Sequence, residues 1–109
     1  MFFGHGTDNA FDEAVFLVYG MLGLNFYHEL HEVNIELQEW EIVMISEKVQ
    51  QRIKKHEPVA YLLKQTLFAG LNFNCDKRAL IPRSPIAELI LNGFHPLLNS
   101  RPKRVLDLC

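Results

Sequence analysis

Pro58 is the first proline of the chain and falls at the end of its longest helix-patterned stretch. Proline lacks an amide proton and its ring clashes with the preceding turn, so a helix stops there. The chain is thereby divided into a helix-patterned first half and a second half of short elements, punctuated by Pro82, Pro85, Pro96 and Pro102. The 109 residues are 49% hydrophobic and 22% charged, with eight Phe. That is one domain's worth of sequence with enough apolar side chain to bury a core, which excludes a disordered tail. No apolar run approaches the ~20 residues that span a bilayer. The start, Met1 to Gly6, has neither the basic nor the long apolar region of a signal peptide. Cys75 and Cys109 cannot build a disulfide framework; they read as reduced thiols of a cytoplasmic protein.

A first helix is expected over about 9–22. Thr7, Asp8 and Asn9 are all N-cap residue types, and Asp12 and Glu13 follow where the helix dipole favours acids. Phe11, Val15, Val18 and Leu22 form the expected core-facing stripe, and Gly23 the C-cap. A turn-like stretch follows from Asn25 to about Asn34. The second helix is expected over about 38–56, packed through Ile42, Ile45, Val49 and Ile53, with Arg52 and His56 beside that face. Pro58 also suits the start of a short helical turn ending near Leu63.

Beyond Leu67 the pattern changes to short apolar and alternating runs, with strands expected only there. Two antiparallel strands are predicted at about 71–75 and 78–81, on either side of Asp76-Lys77-Arg78. Ser84 followed by Pro85 opens a helix that ends at Asn92-Gly93. Asn99 to Pro102 reads as a linker, and Arg104 to Cys109 as a buried strand. Such a closing strand looks like the first strand of a nucleotide-binding α/β domain.

The charge is strongly divided. Residues 1–47 hold nine acids and no Lys or Arg; residues 48–109 hold eleven Lys and Arg and four acids. The two readings are a basic half that meets an acidic or nucleic-acid-bearing partner, and two halves that neutralise each other. Lys48, Arg52, Lys54 and Lys55 form a basic helix flank, but no aromatics interleave with them as nucleic-acid stacking requires.

Few residues carry a pattern specific to chemistry. His28 and His31 are three residues apart, whereas a zinc-binding helix needs four. The cysteines have no CxxC partner or neighbouring His, and no glycine-rich phosphate loop is present. The segment Leu80 to Leu89 is more informative. It sets Arg83 in a Pro-bounded elbow between an apolar run and a helix start. Helix amides and a guanidinium there make an electropositive spot suited to a carboxylate or a polarised amide. The alternative is a structural elbow in which Arg83 ties a neighbouring loop.

Several strings occur together in order: Gly4-His5-Gly6-Thr7-Asp8-Asn9, Pro58-Val59-Ala60-Tyr61-Leu62, Phe68-x-Gly70-x-x-Phe73, Ile81-Pro82-Arg83-Ser84-Pro85-Ile86-Ala87-Glu88, and Val105-Leu106-Asp107-Leu108-Cys109. With them the chain resembles the N-terminal part of the HemK-like protein-(glutamine) methyltransferases. It looks most like the branch that modifies ribosomal protein L-3. The release-factor branch typically reads Pro-Arg-Pro-Glu-Thr-Glu at the elbow, from which Pro82-Arg83-Ser84-Pro85-Ile86-Ala87 departs.

The resemblance implies a mainly α fragment: a helical substrate-recognition domain over 1–65, a β-hairpin linker over 66–83, and over 84–109 the start of a truncated Rossmann-like class I methyltransferase domain. It implies S-adenosylmethionine as cofactor of the full-length enzyme and ribosomal protein L-3 as substrate. Ribosomal RNA bound through the basic half is a third possibility, and the short apolar runs leave no membrane partner. Position directly after a hairpin that joins the two implied domains puts Ile81, Pro82, Arg83 and Ser84 at the expected edge of the substrate-glutamine site, since ligand sites favour domain junctions. The family's Asn-Pro-Pro-Tyr motif and glycine-rich cofactor turn are not in this sequence. The chain itself is therefore expected to be inactive and to hold no cofactor. The alternative of another class is a free-standing helical interaction module.

Overall fold

The computed structural model describes residues 9–26 and 29–108. The readings that fall on Gly4 to Asp8, on His28 and on Cys109 lie outside them. Helix α1 spans Ala10–Leu22. Its Asn9 cap accepts the Asp12 amide proton at 2.9 Å, and Gly23 ends it at φ 67°. Both limits are those expected from the caps, because the first turn's orphan amides need a side-chain acceptor and the last turn a left-handed residue.

The buried face of α1 is not the expected one. Glu13, Leu17 and Tyr19 are buried, whereas Phe11 is exposed and Val15, Val18 and Leu22 are half-buried. The helix is apolar on almost every side, so periodicity does not select a face. Close packing does. A Cβ at Gly20 would lie 2.5 Å from Leu63 Cδ1, so the bare glycine lets the two segments touch. Leu17 and Glu13, three and seven residues earlier, turn inward with it.

Helix α2 spans Glu39–Lys55. Its first turn is closed by Glu41, whose carboxylate accepts the Gln38 amide proton at 2.8 Å. His56 ends it in the left-handed region at φ 53°. The expected packing stripe is corrected here too. Ile45 and Val49 are half-buried, but Ile42 and Ile53 are exposed, and Arg52 is the buried residue of this helix. Helix α3, Val59–Leu63, follows Pro58, whose carbonyl accepts the amide protons of Tyr61 and Leu62. It packs against both α1 and α2 and buries Val59, Ala60 and Leu62.

Strands β1, Gln65–Phe68, and β2, Leu71–Asn74, pair antiparallel with Thr66 opposite Phe73 and Leu67 opposite Asn72. The expected β2 strand is present, but its partner precedes it in the chain. No strand forms at 78–81, and strand structure begins at Gln65, before Leu67. Ala69 and Gly70 supply a two-residue turn with φ 48° and 77°, the twist that matches two right-handed strands. Asp76-Lys77-Arg78 instead folds as a local turn: the Asp76 carboxylate accepts the Arg78 amide proton at 3.0 Å and the Asp76 carbonyl that of Ala79 at 3.1 Å. A side chain competing for backbone donors in this way ends a ladder.

Helix α4, Ile86–Leu91, starts one residue later than expected, with Pro85 as its cap in place of Ser84 and Ser84 Oγ accepting the Ile86 amide proton, and it stops as expected before Gly93, left-handed at φ 61°. The strand expected at 104–109 is not formed over 104–108, which are exposed and irregular. A strand exists only by pairing, and β1 and β2 are paired only with each other among the described residues. The result is an elongated chain with a radius of gyration of 16.7 Å, against about 13 Å for a compact domain of this length.

Candidate functional site

The elbow is held from its N-terminal side. Ile81 is only 3% exposed and packs with Ala60 and Cys75, with Tyr61 against them. Tyr61 Oη donates to the Ala79 carbonyl at 2.9 Å, so α3 clamps the two residues on either side of Leu80. The Cys75 amide donates to the Lys64 carbonyl, continuing the hairpin up to the clamp. Lys77 reaches back to Glu57 at 2.9 Å, just past α2.

Of the four residues expected at a substrate edge, Ile81 points into the core and Pro82 is half-buried. Arg83 and Ser84 are exposed, with Ser84 Oγ engaged by the first turn of α4. The backbone thus presents Arg83 between a buried anchor and a capped helix. That arrangement limits the backbone freedom of Arg83.

Charge reinforces the turn before the elbow. Hydrogen bonds from the Arg78 side chain and amide hold the Asp76 carboxyl down to about 2, below its ordinary value of 3.8. A lowered folded value means that the contribution of this pair is complete above the ordinary value and is lost as pH falls from about 4 through 2. We expect a carboxyl-carbon NMR titration to place the Asp76 midpoint near 2, and Arg78→Ala to return it to the ordinary range. Because the pair is exposed, global stability should change little over that window.

A second constellation was not legible as such in the sequence. Glu13 and Arg52, thirty-nine residues apart, form a two-point ion pair: Nε to Oε2 at 3.1 Å and the second guanidinium nitrogen to Oε1 at 3.2 Å. Both side chains are about nine-tenths buried. Glu13 had a sufficient local role at the helix start, and Arg52 a place in a basic flank. Burial removes Arg52 from that flank and joins the acidic half of the chain to the basic half. The only hint was Arg52 lying beside the apolar stripe of its helix. Around the pair lies an apolar cavity of about 270 Å3, bounded by Ala14, Leu17, Val49, Ile53 and Val59.

No other chemistry is assembled among the described residues. No group of His, Cys, Asp and Glu is gathered for a metal. Cys75 is buried, and burial, followed by the charge of Asp76, pushes its thiol up, away from the thiolate a nucleophile needs. Among the described residues no helix is long and apolar enough to cross a membrane.

Comparison with known proteins adds what the geometry lacks. No family model and no solved structure matches the chain. Curated proteins do. The ribosomal protein uL3 glutamine methyltransferase of Francisella tularensis is 42% identical over 113 residues, covering 100% of this chain and 35% of that protein. The proteins of the same name from Xanthomonas campestris and Xylella fastidiosa are each 46% identical, covering 98% of this chain and 35% of theirs. The chain spans about a third of the length of the relatives it matches. Along essentially all of its residues, then, it is a homologue of a third-length segment of the uL3 glutamine methyltransferases.

Proposed function

We propose that this chain is the substrate-recognition part of an enzyme that methylates the side-chain amide nitrogen of a glutamine in ribosomal protein uL3. The observation that supports this best is identity of 42–46% along essentially the whole chain with proteins of that name. Residues 1–65 recognise the protein substrate, 66–83 join the parts, and 84–109 open a Rossmann-like methyltransferase domain.

S-adenosylmethionine is the methyl donor of this reading. The described residues do not fit it, since they contain no glycine-rich turn between a strand and a helix N-terminus. The cofactor is therefore assigned to other polypeptide, and no step is routed through it here. An amide nitrogen is a weak nucleophile because its lone pair is delocalised, so the demand on the protein is orientation more than proton transfer. Arg83, flanked by Pro82 and Ser84 and anchored through Ile81, meets that demand at the edge of the glutamine site.

The test uses a polypeptide of the relatives' length that contains this chain. With labelled S-adenosylmethionine and purified uL3, the wild type should transfer methyl to uL3. Arg83→Ala should lower kcat about a hundredfold, the scale of a misplaced substrate, with melting temperature and cofactor affinity nearly unchanged. Wild-type turnover in a folded Arg83→Ala variant overturns the role of Arg83. Absence of methyl transfer by the wild type overturns the enzymatic reading and leaves an interaction module.

A further inference from the structure

We propose that the outer face of α2, around Trp40, is a docking surface for a lysine- and arginine-rich segment of the protein substrate. The inference rests on the reading that this substrate is a ribosomal protein. Trp40 and Val43 are 61% and 57% exposed, and Met44 is exposed beside them. At spacings of three and four residues from Trp40 these side chains are its neighbours on the helix surface, and Val43 lies opposite buried Arg52.

Acids dominate the surroundings of Trp40. Glu36, Glu39 and Glu47 are all exposed, and the nearest Lys or Arg along the helix, half-buried Lys48, lies eight residues on. Glu47 lies seven residues after Trp40 and borders an open groove with Val43 and Gln50. The acids satisfy more than a helix dipole. Only Glu39 and Glu41 lie in the first turn, and Glu41 is spent on the Gln38 amide. An exposed tryptophan inside an acidic rim is complementary to a segment that offers cations and alkyl stems together. The ring face attracts an ammonium or guanidinium, and the rim steers it in. A protein that sits among RNA phosphates is built with such segments, whereas RNA itself is repelled by this face. Tryptophan at the centre of a contact is also the residue type that most often dominates binding.

Trp40 is the only tryptophan of the chain, which makes the test direct. The 109-residue chain is labelled with 5-fluorotryptophan and titrated with purified uL3, following the fluorine resonance, with calorimetry for affinity. Saturable movement of the resonance is expected, with affinity falling as salt rises. Trp40→Ala, a change at an exposed site that the fold tolerates, should weaken binding about thirtyfold. Glu39→Lys with Glu47→Lys should weaken it at low salt and remove most of the salt dependence, while Lys54→Glu, on the basic end of the helix, should not weaken it.

Three outcomes overturn the proposal: no binding of uL3; binding that leaves the resonance and the Trp40→Ala affinity unmoved; or a resonance that moves only with the chain's own concentration, which assigns the face to a second copy. Methyl transfer to uL3 by the longer wild-type polypeptide is measured separately. Transfer with an unmoved Trp40 sinks the docking face alone, whereas absence of transfer sinks the enzymatic reading and, with it, uL3 as the substrate docked here.

Discussion

Arg52→Ala should destabilise the chain by about 3–5 kcal/mol, the cost of leaving a buried charge without its partner. The carboxylate of Glu13 is as buried as the guanidinium and receives two hydrogen bonds from it. Removing the arginine takes both of these hydrogen bonds from a carboxylate that lies in a largely apolar surround. Stability of a small domain is about 5–15 kcal/mol in total. The described residues include no large side chain that is fully buried, so the variant should lie close to unfolding. Arg52→Lys should recover little, because an ammonium cannot reproduce the two-point geometry. Replacing both partners, Glu13→Leu with Arg52→Met, should restore stability to within about 1 kcal/mol of wild type or exceed it, since a buried ion pair seldom outperforms apolar packing of similar volume. Urea denaturation of the three variants checks this. A loss below about 1 kcal/mol in Arg52→Ala would show that the pair is solvated in solution.

Ile81→Ala is expected to cost about 2–5 kcal/mol, the range for deleting a buried branched side chain and leaving a cavity. Its neighbours Ala60 and Cys75 are small, so they cannot fill the space. The consequence reaches further than stability. Ile81 and the Tyr61 hydrogen bond to Ala79 are what hold the elbow to α3. With the anchor shortened, the backbone at Arg83 gains freedom, and on the proposed function methyl transfer by a longer polypeptide that contains this chain should fall even at temperatures where the variant is folded. Ile81→Val, which keeps the branch, should cost about 0.5–1.5 kcal/mol and preserve most of the turnover. Denaturation and single-turnover kinetics on the two variants separate lost packing from lost positioning. Equal turnover in folded Ile81→Ala and wild type would show that the elbow does not depend on its anchor.

How far these features were readable differs from element to element. The limits of α1, α2 and α4 were legible because they are set by local chemistry. Asn9, Gly23, Pro58, Ser84 and Gly93 each satisfy or break backbone hydrogen bonds within a few residues of their own position. Strand β2 was legible from its alternation. Its partner was not. The change of pattern was read only from Leu67, after β1 has begun, and the polar Asp76-Lys77-Arg78 drew the turn to the wrong side. The turn residues in fact present, Ala69 and Gly70, are a weaker signal than Asn-Gly. The elbow was legible as a Pro-bounded segment, but not its clamp, since Tyr61 and Ala79 are eighteen residues apart.

The sequence by itself determined where helices start and stop, that the second half is broken into short pieces, and that charge is split between the halves. It also carried, in its ordered motifs, the kinship with glutamine methyltransferases. Only the tertiary structure decided which side of each helix is inside. Helix α1 is apolar all round, so its face was chosen by the close approach of Gly20 to Leu63. Helix α2 then turned Arg52 inward to meet Glu13 and left Ile42, Val43 and Trp40 outward. Caps depend on hydrogen bonds a few residues long, whereas faces depend on which distant surface arrives, and no local pattern encodes that.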